Sequence, residues 1–89
     1  MKEEYRKKAI RRLRIAAGQI RGLEKMVTDS KYCIDIINQS LAVKEALSSF
    51  EKVILEHHLQ THVVEQMKKG EQAKATKELL SVYKVSRRK

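Results

Sequence analysis

Proline and tryptophan are absent from this sequence of 89 residues, and glycine occurs only three times. Asparagine occurs once and aspartate twice. Because the turns between strands depend on Gly, Pro, Asn and Asp, a β-sandwich or a doubly wound α/β fold is nearly excluded, and we expect an all-α protein. A chain of this length forms one domain at most, which we place at residues 1–89.

Cysteine and long apolar runs are also scarce. Cys33 is the single cysteine, so a disulfide within the chain is excluded and oligomerisation remains as a means of stabilising a small core. No apolar run reaches the roughly 18 residues of a membrane span, and the charged N-terminus does not resemble a secretory signal. We therefore expect a cytoplasmic protein, with no membrane partner, whose thiol stays reduced.

Acidic residues are outnumbered, with 11 Asp and Glu against 20 Lys and Arg, which gives a net charge of +9. Such a surplus suits a polyanionic partner such as nucleic acid. Apolar periodicity predicts a first helix over residues 3–27, whose basic side chains lie opposite an apolar face at about 100° per residue. No helix-turn-helix or other groove-reading motif is recognisable. The candidate DNA-binding residues are Arg11, Arg12, Arg14, Arg21 and Lys25, of which Arg12 lies nearest the apolar edge.

The remaining pattern predicts a long central helix over residues 32–69, a third helix over 71–83 and a basic tail at 84–89. We expect either Ser30 or Asp29 to cap the start of the central helix and Gly70 to follow its end. The central helix carries two apolar stripes, which predict contacts with more than one partner helix. Its length indicates a subunit of an assembly.

Three side chains are candidates for metal binding. His58 and His62 are four residues apart, so a helix places both imidazoles on one face, although this spacing alone is a weak signal. His57 lies about 100° from their line and is expected to face solvent or a partner helix. Cys33 would be about 37 Å from His58 along a continuous helix. One ion could use all three only in an antiparallel two-fold dimer. A thiolate with two imidazoles suits Cu(I), and also Zn, Ni or Co; a buried, inert cysteine is the alternative.

Three blocks of the sequence resemble the CsoR/RcnR family of bacterial metal-responsive repressors. They are Arg12–Leu23 in the first helix, Tyr32–Gln39 at the start of the second and His58–His62 near its end. The resemblance implies a three-helix subunit that forms an antiparallel homodimer and then a disc-shaped homotetramer. It further implies a repressor that binds operator DNA when metal-free and is released on binding metal, which derepresses genes for metal efflux or storage.

The resemblance also assigns roles to particular residues. The metal-ligand positions fall on Cys33, His58 and His62. Supporting roles beside the metal fall on Tyr32 and Glu78, and Arg12 matches an arginine assigned to DNA binding.

This sequence departs from the family pattern at positions that affect which metal ion we expect the site to bind. The best-known copper pattern has a cysteine where this chain has His62, so Ni(II), Co(II) and Zn(II) remain alternatives to Cu(I), which we favour. The nickel and cobalt branch adds a histidine near the N-terminus, and residues 1–8 contain none. The N-terminal amine could replace it.

Other functional classes fit the sequence less well. A metal-independent architectural nucleic-acid-binding protein would use the same basic face but would not need one cysteine and two histidines at this spacing. An enzyme is not expected, because no third orienting group or oxyanion-binding device accompanies the cysteine and the histidines. A membrane-surface helix would lack its usual aromatic anchors, since the chain has no Trp and one Phe.

Overall fold

The computed structural model describes residues 1–86, and this part of the chain is helical without any strand. The helices are α1 (Glu3–Thr28), α2 (Cys33–His58), α3 (Val64–Lys68) and α4 (Gln72–Ser86), and a π-helical turn (Leu59–Val63) joins α2 to α3. The predicted all-α subunit with a long central helix is therefore confirmed. Over the described residues, no helix combines the length and the apolar character that a bilayer crossing requires.

The end of α1 is a Schellman arrangement, in which a residue in left-handed conformation follows the helix. Ser30 has φ 53°, and its N–H donates to the Val27 carbonyl over 3.1 Å. The N–H of Lys31 donates to the Met26 carbonyl over 2.9 Å. These two bonds satisfy carbonyls that the helix end leaves without partners. The expectation that Asp29 or Ser30 caps the central helix is therefore wrong, because both residues belong to the end of α1.

The central segment departs from the regular α-helix predicted over residues 32–69. Backbone dihedrals stay helical on both sides of the π-helical turn, with φ −60° and ψ −45° at His58 and φ −60° and ψ −44° at Val64. A π-helical turn accommodates one more residue than an α-helical turn. Within it, Thr61 Oγ donates to the His57 carbonyl over 2.6 Å. Such hydroxyl bonds compete with the backbone ladder, which gives a local cause for the irregular turn.

Gly70 ends the central segment in left-handed conformation, with φ 73°, as the sequence predicts. The last helix, α4, continues beyond the predicted range 71–83 to Ser86. The tail expected at 84–89 is therefore helical over 84–86, and residues 87–89 lie outside the described part of the chain.

The chain divides into two compact units, residues 1–55 and 56–89. In the first, α1 and α2 run antiparallel, because Tyr5 and Ala9 near the start of α1 pack with Val53 near the end of α2. All three side chains are buried, and Phe50 and Ile54 pack against them. In the second unit, the chain reverses after α3 so that α4 packs against it.

Many large apolar side chains of the first unit stay exposed on the single subunit. They include Leu13, Ile20, Val27, Ile34, Ile37 and Leu41. The first three recur every seven residues along α1. Exposed apolar surface of this extent on a small domain is typical of a subunit whose core is completed by association.

Candidate metal centre and basic face

The two histidines singled out by the sequence lie side by side. The rings of His58 and His62 have centroids 5.3 Å apart and planes inclined by 22°, so they are stacked. His57 meets His62 edge-on, at 5.9 Å and 65°. The predicted proximity of the His58 and His62 imidazoles is confirmed, and it persists across the π-helical turn.

Glu78 on α4 holds one of these imidazoles. Its Oε2 lies 3.4 Å from Nε2 of His58. Its Oε1 accepts a hydrogen bond from Nε2 of Gln66, on α3, over 3.3 Å. A carboxylate beside the Nε2 of His58 fixes the orientation of the ring and leaves Nδ1 available for a different partner. This is the usual arrangement around a metal-binding histidine. The structure thus brings His58, His62 and Glu78 together as the resemblance implies.

Cys33 belongs to the other compact unit, residues 1–55. It is the first residue of α2, its thiol is free and the residue is exposed. The alternative of a buried cysteine is therefore wrong for the single subunit. Tyr32, which precedes it, is 71% exposed. Within the described residues, no three His, Cys, Asp or Glu side chains form a group that could hold a metal ion.

The basic face of α1 contains an open cleft. Its lining consists of Lys7, Arg11 and Arg14, with Ile10 and Ile15 as apolar walls. Arg21, further along the same helix, is exposed. A cationic cleft with aliphatic walls on a solvent-facing helix can receive phosphate groups.

The other two basic candidates are engaged within the subunit. Arg12 is half-buried, and its Nη1 donates to the Oγ of Ser49 and, over 3.3 Å, to the Ser49 carbonyl. This contact ties α1 to α2. The helical periodicity predicts Arg12 near the apolar edge of α1 but does not predict its partner Ser49. Lys25 forms an ion pair of 3.3 Å with Asp29, although its side chain is 78% exposed.

Gln66 contacts Glu78 beside His58, and no sequence pattern predicts it there. On a regular helix it would lie about 80° around the axis from His58. The only local signal is Thr61, whose hydroxyl can disturb the ladder, and that signal does not by itself predict a π-helical turn.

Comparison with known proteins identifies the family. The family model described as "metal-sensitive transcriptional repressor" matches residues 5–84 of this chain. This chain belongs to that family. The copper-sensing transcriptional repressor CsoR of Bacillus subtilis is 38% identical over 73 residues, which cover 82% of this chain and 72% of that protein. The copper-sensing transcriptional repressor RicR of Mycobacterium tuberculosis is 39% identical over 69 residues, which cover 78% and 68%.

A solved structure of the same kind agrees along nearly the whole chain. It is the crystal structure of the copper-sensing repressor CsoR with Cu(I) from Geobacillus thermodenitrificans, with a TM-score of 0.87 and 33% identity. The match covers 99% of this chain and 92% of that chain. The protein is thus a metal-responsive transcriptional repressor of this family, which is a family of regulators and not of enzymes.

Proposed function

We propose that this repressor senses Cu(I): it binds operator DNA when metal-free and leaves the operator when Cu(I) binds, which derepresses genes for copper efflux or storage. The observation that carries the proposal is the stacked pair His58 and His62, with Glu78 on the Nε2 of His58. The same fold is present in a CsoR structure that contains Cu(I).

The proposed site takes its sulfur ligand from a second subunit. Cys33 begins α2 and is exposed, whereas His58 ends it, so the thiol and the His58 imidazole belong to opposite ends of one helix. In an antiparallel homodimer, Cys33 of one subunit joins His58 and His62 of its partner, and two equivalent sites form. One thiolate with two imidazoles can hold Cu(I) in a three-coordinate site, and it also suits Zn(II), Ni(II) or Co(II) when a further ligand completes the shell. The similarity to copper-sensing repressors favours Cu(I) among these metals.

The exposed apolar surface supports assembly into a homodimer and a homotetramer. Ile34, Ile37 and Leu41 form a line on α2 beginning one residue after Cys33, and each is more than 50% exposed. A second copy of the chain that covers this line would bury it together with the neighbouring thiol. An assembly of this kind, with reduced thiols and DNA as its target, operates in the cytoplasm.

The basic face of α1 is the proposed operator-binding surface. Arg11, Arg14 and Arg21 are exposed on it and would neutralise phosphates directly. Lys25 would contribute once its ion pair with Asp29 exchanges for a phosphate contact, and Arg12 would act mainly by holding α1 against α2. Since no groove-reading motif is present, DNA shape would carry part of the operator choice.

The metal site and the DNA-binding face would be linked through residues that lie beside a metal-binding residue without binding metal themselves. Glu78 contacts the Nε2 of His58 and lies on α4, so it would respond when the Nδ1 of the same imidazole binds a metal. Tyr32 precedes Cys33 in the sequence and would respond in the same way when the thiolate binds metal. Partners of metal ligands commonly tune a site in this manner.

Cu(I) titration of the operator-bound repressor tests the function. We expect the fraction of bound DNA to fall as the sites fill, and X-ray absorption should show one sulfur and two nitrogen ligands per copper. Unchanged DNA affinity at saturating Cu(I) would refute copper sensing. Competition among Cu(I), Ni(II), Co(II) and Zn(II) tests the alternative metals, and the metal that releases DNA at the lowest free concentration is the sensed one.

Complementation between two inactive variants tests the shared site. Cys33→Ser removes the thiolate and His62→Ala removes one imidazole, so neither homodimer has an intact site. Random mixing makes about half of the dimers mixed, and each mixed dimer regains one of its two sites, which gives about a quarter of the wild-type copper-binding capacity. If the three ligands come from one chain, mixing restores no capacity.

A further inference from the structure

The carboxylate of Glu78 has two side-chain partners rather than one. One oxygen lies 3.4 Å from His58, and the other accepts from the amide of Gln66 over 3.3 Å. The two contacts use opposite oxygens of the same carboxylate. The Gln66 amide therefore restricts rotation of the carboxylate while the second oxygen faces the imidazole.

The π-helical turn explains how Gln66 reaches this position. In an unbroken α-helix, eight residues separate His58 from Gln66, which corresponds to an angle of about 80° around the axis. The additional residue accommodated between Leu59 and Val63 reduces the angle to that of seven residues, about 20°. Both side chains then face the same residue of α4.

The buried amide of Gln66 indicates a role for this side chain other than packing. Its Oε1 is buried and has no hydrogen-bond partner among residues 1–86. A buried amide oxygen without a partner is unfavourable, and an apolar side chain of similar size would avoid that cost. The bond from its Nε2 to Glu78 is the one hydrogen bond of this amide within the described part of the chain.

We infer that Gln66 is a positioning residue of the regulatory mechanism: through the carboxylate of Glu78 it holds the imidazole of His58 ready for metal and links metal binding to α3 and α4. This role rests on the proposed function, since it requires His58 to bind the sensed ion. Gln66 itself touches neither metal nor DNA in this scheme, and it acts only on the carboxylate. Its removal should therefore affect the response to metal more than the binding of either ligand.

The test replaces the amide with an apolar side chain that favours a helix. Gln66→Met should bind operator DNA as the wild type does, and its Cu(I) affinity should change less than threefold. The factor by which Cu(I) lowers DNA affinity should shrink about three- to tenfold, the loss expected for one ordinary hydrogen bond in a part-buried position. Gln72→Met makes the same change at the exposed start of α4 and should keep the full response. Gln66→Ala provides a second variant of high helix propensity.

Two further measurements separate this role from general destabilisation. Combining Gln66→Met with Glu78→Gln should reduce the response no further than Glu78→Gln alone, because both act on one carboxylate. Nitrogen NMR of the metal-free protein should show shifted His58 imidazole resonances in Gln66→Met and unchanged ones in Gln72→Met. A wild-type metal response in both Gln66 variants, or unshifted His58 resonances, would overturn the inference. If the wild type itself shows no response to metal, the proposed function fails instead.

Discussion

The basic side chains of α1 should separate into two groups when their charges are removed one at a time. Arg14 lines the exposed cationic cleft, whereas Arg12 is half-buried and bonded to Ser49 on α2. Gln is the replacement in both cases, because it removes the charge while keeping length and helix propensity. We expect Arg14→Gln to weaken an electrostatic contact with DNA and Arg12→Gln to weaken the packing of α1 on α2.

The expected magnitudes follow from the two environments. Each phosphate contact contributes about 0.9 to the slope of log affinity against log salt, so losing one at 0.1 M salt costs about eightfold in affinity relative to 1 M. Arg14→Gln should lower the magnitude of this salt slope by about 0.9 for every subunit whose Arg14 contacts a phosphate. Arg12→Gln should leave the slope nearly unchanged. A half-exposed charged hydrogen bond is worth about 1 kcal/mol, so its loss should lower the melting temperature by about 4–8 °C.

Fluorescence anisotropy with a labelled operator between 0.05 and 0.4 M salt measures the slope, and thermal unfolding followed by circular dichroism measures stability. Lys52→Gln, on the exposed side of α2, is the charge-matched control and should change neither quantity. If Arg12→Gln flattens the salt dependence as much as Arg14→Gln and melts like the wild type, the assignment of Arg12 to helix packing is wrong.

Three further changes probe the core, the exposed apolar line and the tyrosine. Val53→Ala removes two buried methyl groups from the α1–α2 contact and should lower the free energy of unfolding by about 2 kcal/mol in thermal or urea denaturation. The control Val85→Ala, on the exposed side of α4, should change the free energy of unfolding by less than about 0.5 kcal/mol. Ile37→Lys should reduce the assembled mass in analytical ultracentrifugation while helicity is retained, because the side chain is 53% exposed on the single subunit; an unchanged mass would exclude this line from the interface. Tyr32→Phe should retain operator binding in anisotropy but lessen the effect of Cu(I), and a full response would remove Tyr32 from the mechanism.

Much of this fold follows from the sequence because the helices are long and amphipathic. The scarcity of turn-forming residues predicted the all-α class, and Gly70 was correctly placed as the end of the central segment. The assignment of Ser30 was wrong because Ser is common as an N-cap, whereas a non-glycine residue in left-handed conformation is unusual. Helix ends that are decided by backbone conformation are therefore harder to predict than helix interiors decided by apolar periodicity.

The candidate site was predictable where it depends on residue spacing within a regular helix. It was not predictable where it depends on an irregular turn or on how two helices are paired. His58 and His62 lie together as their spacing predicts. Gln66 was missed because a wheel at a constant 100° per residue cannot show the residue that the π-helical turn adds. The Arg12 contact with Ser49 was missed because it depends on how α1 and α2 are paired, which no local pattern specifies.

The geometry also limits how metal can act on DNA. The basic face of α1 lies in the unit of residues 1–55, and His58, His62 and Glu78 lie in the unit of residues 56–89. Under the proposed sharing of ligands, each ion joins the first unit of one subunit to the second unit of its partner. Metal can release DNA only if it binds the DNA-free arrangement more tightly than the bound one. The coupling is reciprocal, so operator DNA must weaken Cu(I) binding by the same factor by which Cu(I) weakens DNA binding. A hundredfold effect corresponds to about 2.7 kcal/mol, which is within the reach of a few hydrogen bonds such as those that converge on Glu78.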